Sequence, residues 1–214
     1  MAACAEGLYG VPRGLVAMAH HVPTTWTGIV FRREVLDAIG TLDLEVGTAC
    51  DVDFVLRAAA KFPFVLRHVP GAVFVPASIG DVPSLRASVD GLWPGWKRMT
   101  DRLAGDPALP VAVRAEVTDV LTRRSRHYVW LMGAAALVRG DPGQARRAAS
   151  LLGGEMGRRG RARALALAAA GCEAVPGLQA AVRAAFSARQ AVRHLAHRAR
   201  GGARLDDLPG GVVA

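Results

Sequence analysis

The sequence predicts an α/β segment with few strands followed by an α-helical C-terminal region, and three observations carry that prediction. Within residues 1–83, short β-branched and aromatic runs alternate with helical spacings and are bounded by proline and glycine. From Ser84 onward the apolar spacing is helical throughout. The breakers that interrupt it, at Pro107 to Pro110, Gly140-Asp-Pro142, Gly153-Gly154, Gly160 and Val175-Pro-Gly177, divide it into about five helices. The chain accordingly divides into a first segment at 1–83, a helical extension at 84–200 and a flexible tail at 201–214.

Taken in order, the start is rich in Gly7, Gly10, Pro12 and Gly14, and no element is expected there. Thr25 to Val30 is β-branched and aromatic, as a strand or extended segment would be. In the next stretch Phe31, Val35, Leu36 and Ile39 fall at helical spacing, and Gly40 supplies a stop, which predicts a short amphipathic helix. After a turn containing Asp43, Asp51 precedes an apolar run to Ala60 and should cap a second helix. Phe62 to Val69 and Ala72 to Val75, flanked by Pro63, Pro70, Gly71 and Pro76, read as strands. Asp141 followed by Pro142 is a cap with proline at the first helical position, so Val111 to Arg139 and Gly143 to Leu152 should form a helical hairpin. Its Tyr128, Gly133, Gly140-Asp and Ala145 pattern resembles one tetratricopeptide unit, but no second copy follows at the 34-residue period, and a helical appendage is expected rather than a solenoid.

Composition narrows the function classes. The 214 residues are 51% hydrophobic and 21% charged, which excludes a wholly disordered chain and suits one core. The longest uncharged apolar run, Tyr128 to Val138, has eleven residues, against the roughly 20 that a spanning helix needs. Glu6 near the start and the lack of a basic leader speak against a cleaved signal, so a cytoplasmic protein is expected. Cys4, Cys50 and Cys172 are too few and too far apart for a disulfide framework, and reduced thiols are expected. His20, His21, Cys50 and His68 match no standard zinc spacing.

The net charge of +9 arises entirely after residue 100: the first 100 residues hold nine basic and nine acidic side chains, the remainder eighteen and nine. Two arginine-dense stretches account for much of it, Arg158 to Arg163 and a helix from Gly177 to Arg200 bearing a stripe of Leu178, Val182, Ala185, Val192 and Leu195. That helix suits docking on the preceding helices or peripheral contact with an anionic membrane. Nucleic acid is an unlikely partner, because the basic stretches lack interleaved aromatics.

The informative block runs Trp26-Thr-Gly-Ile-Val-Phe-Arg-Arg-Glu-Val-Leu-Asp-Ala-Ile-Gly-Thr-Leu-Asp43, then Asp51-Val-Asp-Phe-Val-Leu-Arg57, then Val69-Pro-Gly-Ala-Val-Phe74. From Thr25 to Ser78 it resembles the acceptor half of family 2 glycosyltransferases of the GT-A type, in which FRR opens a helix ending in G-x-(F/L)-D and ED-x-D-(L/F)-x-(L/F)-R follows. The resemblance implies an inverting transfer of a sugar from a nucleotide-sugar donor to an acceptor hydroxyl, with Asp51 as general base. Such a base takes the hydroxyl proton as that oxygen attacks the anomeric carbon, and a carboxylate at a helix mouth can do this. Cys50 stands where that family has Glu.

By the same resemblance Asp53 orients the loop or binds acceptor hydroxyls, Arg57 pairs with an acid on the acceptor side, and Trp26 is either a core aromatic or part of an acceptor-stacking wall. Spacing alone leaves a plainer reading, in which Asp51 and Asp53 only suit a helix start. Asp51 and Asp53 also have the spacing of a metal-binding DxD, but a helix follows them rather than a strand preceding them, so no metal ligand is expected in this chain. The donor-binding half of the family is missing, so the chain alone should bind no nucleotide sugar, and Mg²⁺ or Mn²⁺ is expected only in the complete enzyme. The alternative is a non-catalytic helical interaction module that retains a degenerate glycosyltransferase segment.

Overall fold

The computed structural model describes residues 5–21, 29–67, 88–175, 177–185 and 188. Their elements run β1 (Gly7–Tyr9), α1 (Arg13–His21), α2 (Arg33–Ile39), a 3₁₀ helix (Leu44–Ala49), α3 (Cys50–Lys61), β2 (Phe64–Leu66), α4 (Val89–Gly105), α5 (Val111–Arg139), α6 (Pro142–Gly153) and α7 (Arg159–Ala174). Residues 178–185 are helical as well.

The α-helical C-terminal region is as the sequence indicates. In the first segment, strand among the described residues is confined to one ribbon, β1 antiparallel to β2, with Leu8 opposite Val65 and Tyr9 opposite Phe64. The Tyr9 and Phe64 rings stack at 5.1 Å and hold the ribbon's inner side. Three-residue strands without a third partner are marginal on their own, so this ribbon depends on the helices around it. Of the other expected strands, Ala72 to Val75 lies outside the described residues, and Ile29 and Val30, the described end of Thr25 to Val30, are not in a strand.

Two elements at the start were not legible in the sequence: β1 and α1. Helix α1 follows Pro12, and its Leu15 and Ala19, one turn apart, are fully buried. Gly160 is not a break but the second residue of α7. The hairpin forms as expected, with a Schellman end in which the Gly140 and Asp141 amides donate to Leu137 and Ala136 carbonyls. Gly140 has φ +85 there, and Asp141 then caps α6 by accepting from the Gln144 amide at 2.9 Å.

The 29-residue α5, roughly 44 Å long at 1.5 Å per residue, touches α1, α4, α6 and α7. Gly133 makes this packing possible: a Cβ there would stand 2.4 Å from Leu165 of α7 and 2.9 Å from Ala148 of α6. The apolar core is one cluster, from Leu15, Val46 and Leu56 through Met99 and Leu121 to Leu152 and Leu165. The two segments divided at residue 83 therefore share a core. Helix 178–185 docks on the same body, with Val182 packed against the core and Arg183 Nε donating to the Val138 carbonyl at 3.2 Å. No described helix is long and apolar enough to cross a membrane.

Candidate functional site

The residues singled out by the sequence gather where α2, the 3₁₀ helix, α3 and α4 meet. Asp43 opens the 3₁₀ helix by accepting from the Glu45 amide at 3.0 Å. The 3₁₀ helix runs directly into α3, whose first residue is Cys50 and whose N-cap position, Ala49, offers no side-chain bond. Asp51 is thus the second residue of α3 and not its cap, a correction to the sequence reading. The carboxylate that does cap is Asp43, at the start of the 3₁₀ helix, and Gly47, with φ +64, kinks the chain between that start and α3.

Asp51 is half-buried, and its Oδ1 accepts from the Val52 amide at 2.7 Å. It makes no ion pair among the described residues. Cys50 beside it is a free, partly buried thiol, as is Cys172.

Asp53 and Arg57 have a different setting from the acceptor-facing one expected. The Asp53 carboxylate is 2% exposed. Arg57 Nε donates to its Oδ2 at 2.7 Å, and Arg102 Nη1 donates to Oδ1 at 3.0 Å and to Oδ2 at 3.2 Å. Its oxygens are filled from within the fold, which leaves the loop-orienting half of the expectation. Arg57 continues the network: Nη1 donates to the Ile39 carbonyl and Nη2 to that of Thr41 at 2.8 Å, while its guanidinium lies 5.5 Å from the centre of the Phe54 ring. Phe54 in turn meets Phe31 edge-on at 4.9 Å. The end of α2 is in this way tied to α3 through orphan carbonyls that need donors.

Arg102 is the residue that sequence reasoning missed. It lies on α4, 49 positions after Asp53, and no spacing rule connects them. Its Nη2 donates to Asp43 and its Nη1 to Asp53, so one guanidinium spans both aspartates that flank the Asp51 turn. Arg98, one turn earlier, pairs with Glu45. The hydrogen bond from Arg102 holds the Asp43 carboxyl below the usual aspartate range. Burial works against charge on Arg102, yet Asp43 and Asp53 outweigh it and raise its pKa.

A pH dependence follows with a definite sign. Folded Asp43 titrates lower than the unfolded value of 3.8, so its contribution is present above that value and is lost as pH falls through the lower folded pKa. The difference in urea midpoint between the native chain and Asp43→Asn should be level above about pH 5 and shrink on acidification below 3.8. A difference that stays constant down to about pH 2 would refute the pairing.

Trp26 lies outside the described residues. Among the described residues no group of three His, Cys, Asp or Glu side chains is arranged to hold a metal ion, and Asp43 and Asp53 are engaged by arginines. Held in this way, Asp43 and Asp53 do not fit the divalent ion of a nucleotide-sugar site. No protein-family model, curated protein or solved structure matches the chain.

Proposed function

We propose that this chain is the acceptor-side portion of an inverting, family 2-like glycosyltransferase of the GT-A type, acting with a donor-binding half that it does not itself contain. The observation that supports this reading is the contrast among three neighbouring aspartates. Asp43 and Asp53 are held by Arg102, whereas Asp51 at the mouth of α3 keeps a carboxylate with no cation on it among the described residues. A base needs such a free oxygen, held at a fixed place by a rigid surround. In the reaction the acceptor oxygen attacks the anomeric carbon, its proton passes to Asp51, and the bond to the nucleoside diphosphate breaks with inversion. The donor's diphosphate and a Mg²⁺ or Mn²⁺ ion would be held by the other half. A cytoplasmic setting goes with this reading, as does peripheral contact at the inner face of the membrane through the Gly177 to Arg200 stretch.

The second reading, a non-catalytic helical interaction module, is favoured by the array α4 to α7, in which each helix packs on the next. One experiment separates the two: sugar transfer by this chain joined to, or mixed with, a donor-binding half, with and without Asp51→Asn. A positioned general base contributes about 10² to 10⁴ in rate, and turnover should fall by that factor while donor affinity holds. Stability should change by no more than about 1 kcal/mol, the worth of a charge at a helix start. Activity above about a tenth in the variant would remove Asp51 from the mechanism. No transfer by the unaltered chain would favour the interaction module.

A further inference from the structure

Some arginines of the helical region are paired within the fold and others are not. Arg102, Arg123, Arg146 and Arg147 each meet a carboxylate, at Asp43 and Asp53, Asp119, Glu173 and Asp90 respectively. Arg158, Arg159, Arg161 and Arg163 are exposed, and no ion pair or side-chain hydrogen bond engages them among the described residues. They crowd the N-terminal end of α7, whose first turn holds no acidic residue. Four cations at the positive end of a helix dipole work against the helix, and no acidic side chain among the described residues offsets that. The acidic residues on either side, Glu155 and Glu173, are already engaged by Trp93 and Arg146.

The rest of this helix face carries no charge. Ala162, Leu165 and Ala169 point into the body, while the opposite side presents Gly160, Ala164, Leu167 and Ala170 to solvent, with Leu167 65% exposed. Arg163 lies one turn from Leu167 on that side. Nothing stands within 4 Å of the positions a Cβ would take at Gly157 and Gly160, so a broad surface could approach closely. Outward apolar side chains with arginines at one end match a lipid surface: guanidinium groups fork onto phosphate oxygens while the apolar side chain enters the headgroup boundary. The patch has no aromatic side chain on which a nucleobase could stack.

We propose that the N-terminal end of α7, where Arg158, Arg159, Arg161 and Arg163 surround the helix start and Arg163 and Leu167 lie on the outward side, is a docking surface for an anionic lipid bilayer. This site is distinct from the Gly177 to Arg200 stretch and does not depend on the glycosyltransferase reading. The test is co-sedimentation of the full chain with phosphatidylcholine vesicles, with and without phosphatidylserine. Each basic side chain near an anionic surface is worth about 5-fold in partitioning, and the effect falls with salt. The native chain should bind only the phosphatidylserine vesicles. Joint replacement by Arg158→Gln, Arg159→Gln, Arg161→Gln and Arg163→Gln should weaken binding at least about 100-fold, with an equal or higher melting temperature. The milder pair Arg159→Gln and Arg163→Gln, for which folding is not in question, should weaken it about 25-fold. Replacing Arg189, Arg193, Arg198 and Arg200 by Gln should leave the dependence on the α7 arginines in place. Equal binding to neutral vesicles, unchanged binding by the α7 variants, or capture of a single-stranded oligonucleotide but not of vesicles would each overturn the proposal.

Discussion

Gly95→Ala is expected to lower the melting temperature of the chain by about 6 to 12 °C or to prevent folding. In an ordinary helix interior the same change stabilises, by as much as about 1 kcal/mol, because alanine loses less backbone freedom. Here the added Cβ would stand 1.9 Å from the Val46 carbonyl oxygen, 2.7 Å from its carbon and 3.1 Å from its Cα. All three are backbone atoms, so no side chain can rotate aside, and α4 must move bodily off the 3₁₀ helix. Overpacking a core typically costs about 1 to 3 kcal/mol; two immobile backbones place this case at or above the upper end, and about 3 kcal/mol corresponds to the quoted shift at this chain length. Gly160→Ala, with nothing within 4 Å, serves as the control and should be neutral or slightly stabilising. A Gly95→Ala chain as stable as the native one would mean that the α4 contact with Val46 does not exist in solution.

Asp53→Ala should cost about 3 to 5 kcal/mol, because among the described residues it deletes the only carboxylate that Arg57 meets and one of the two that Arg102 spans. The loss would not stop at the pair. Arg57 without Asp53 is no longer oriented toward the Ile39 and Thr41 carbonyls, so the end of α2 should fray with it. Asp53→Asn, which keeps the shape and one acceptor oxygen, should fall between native and Ala. Asp51→Asn, two residues away, should barely register in the same urea titration. If Asp53→Ala costs less than about 1 kcal/mol, as an exposed ion pair would, the network is not a structural anchor.

The contrast between the two aspartates also measures how far the sequence could be read. Local patterns were legible wherever neighbours in the chain decide the outcome. Gly40 ends α2 with φ +74, the Asp141-Pro142 pair starts α6, and Pro107 to Pro110 separates α4 from α5. Asp51 was found on a correct helix but read as its cap, because nothing in the spacing shows that a 3₁₀ helix kinked at Gly47 ends at Ala49 and is followed at once by α3. Helix α1 was missed because the glycines and proline around it outweighed the single Leu15 and Ala19 pair that faces the core. Arg102 left no local trace at all, since its meaning comes from Asp43 and Asp53 on the far side of the fold. The buried state of Asp53 was hidden for the same reason: an aspartate in a first helical turn looks like a surface acid until its partners are known.

Helix α4 has two ends with different neighbours. At its start, the Val89 amide donates to Gln144 at 3.4 Å, Asp90 pairs with Arg147 at 3.4 Å and the Trp93 indole donates to Glu155 at 2.8 Å, all on or beside α6. Toward its end, Arg98 and Arg102 hold Glu45, Asp43 and Asp53. Seventeen residues of helix span roughly 25 Å, and Pro94 stands between the two sets of contacts, where its missing amide and its ring favour a bend. A tilt imposed at the α6 end therefore reaches Arg102 through a helix whose most bendable point is Pro94. The Asp51 turn is in this way linked to the outer helices by one jointed helix, and a deletion in α6 would be felt there as misalignment rather than as the loss of a contact.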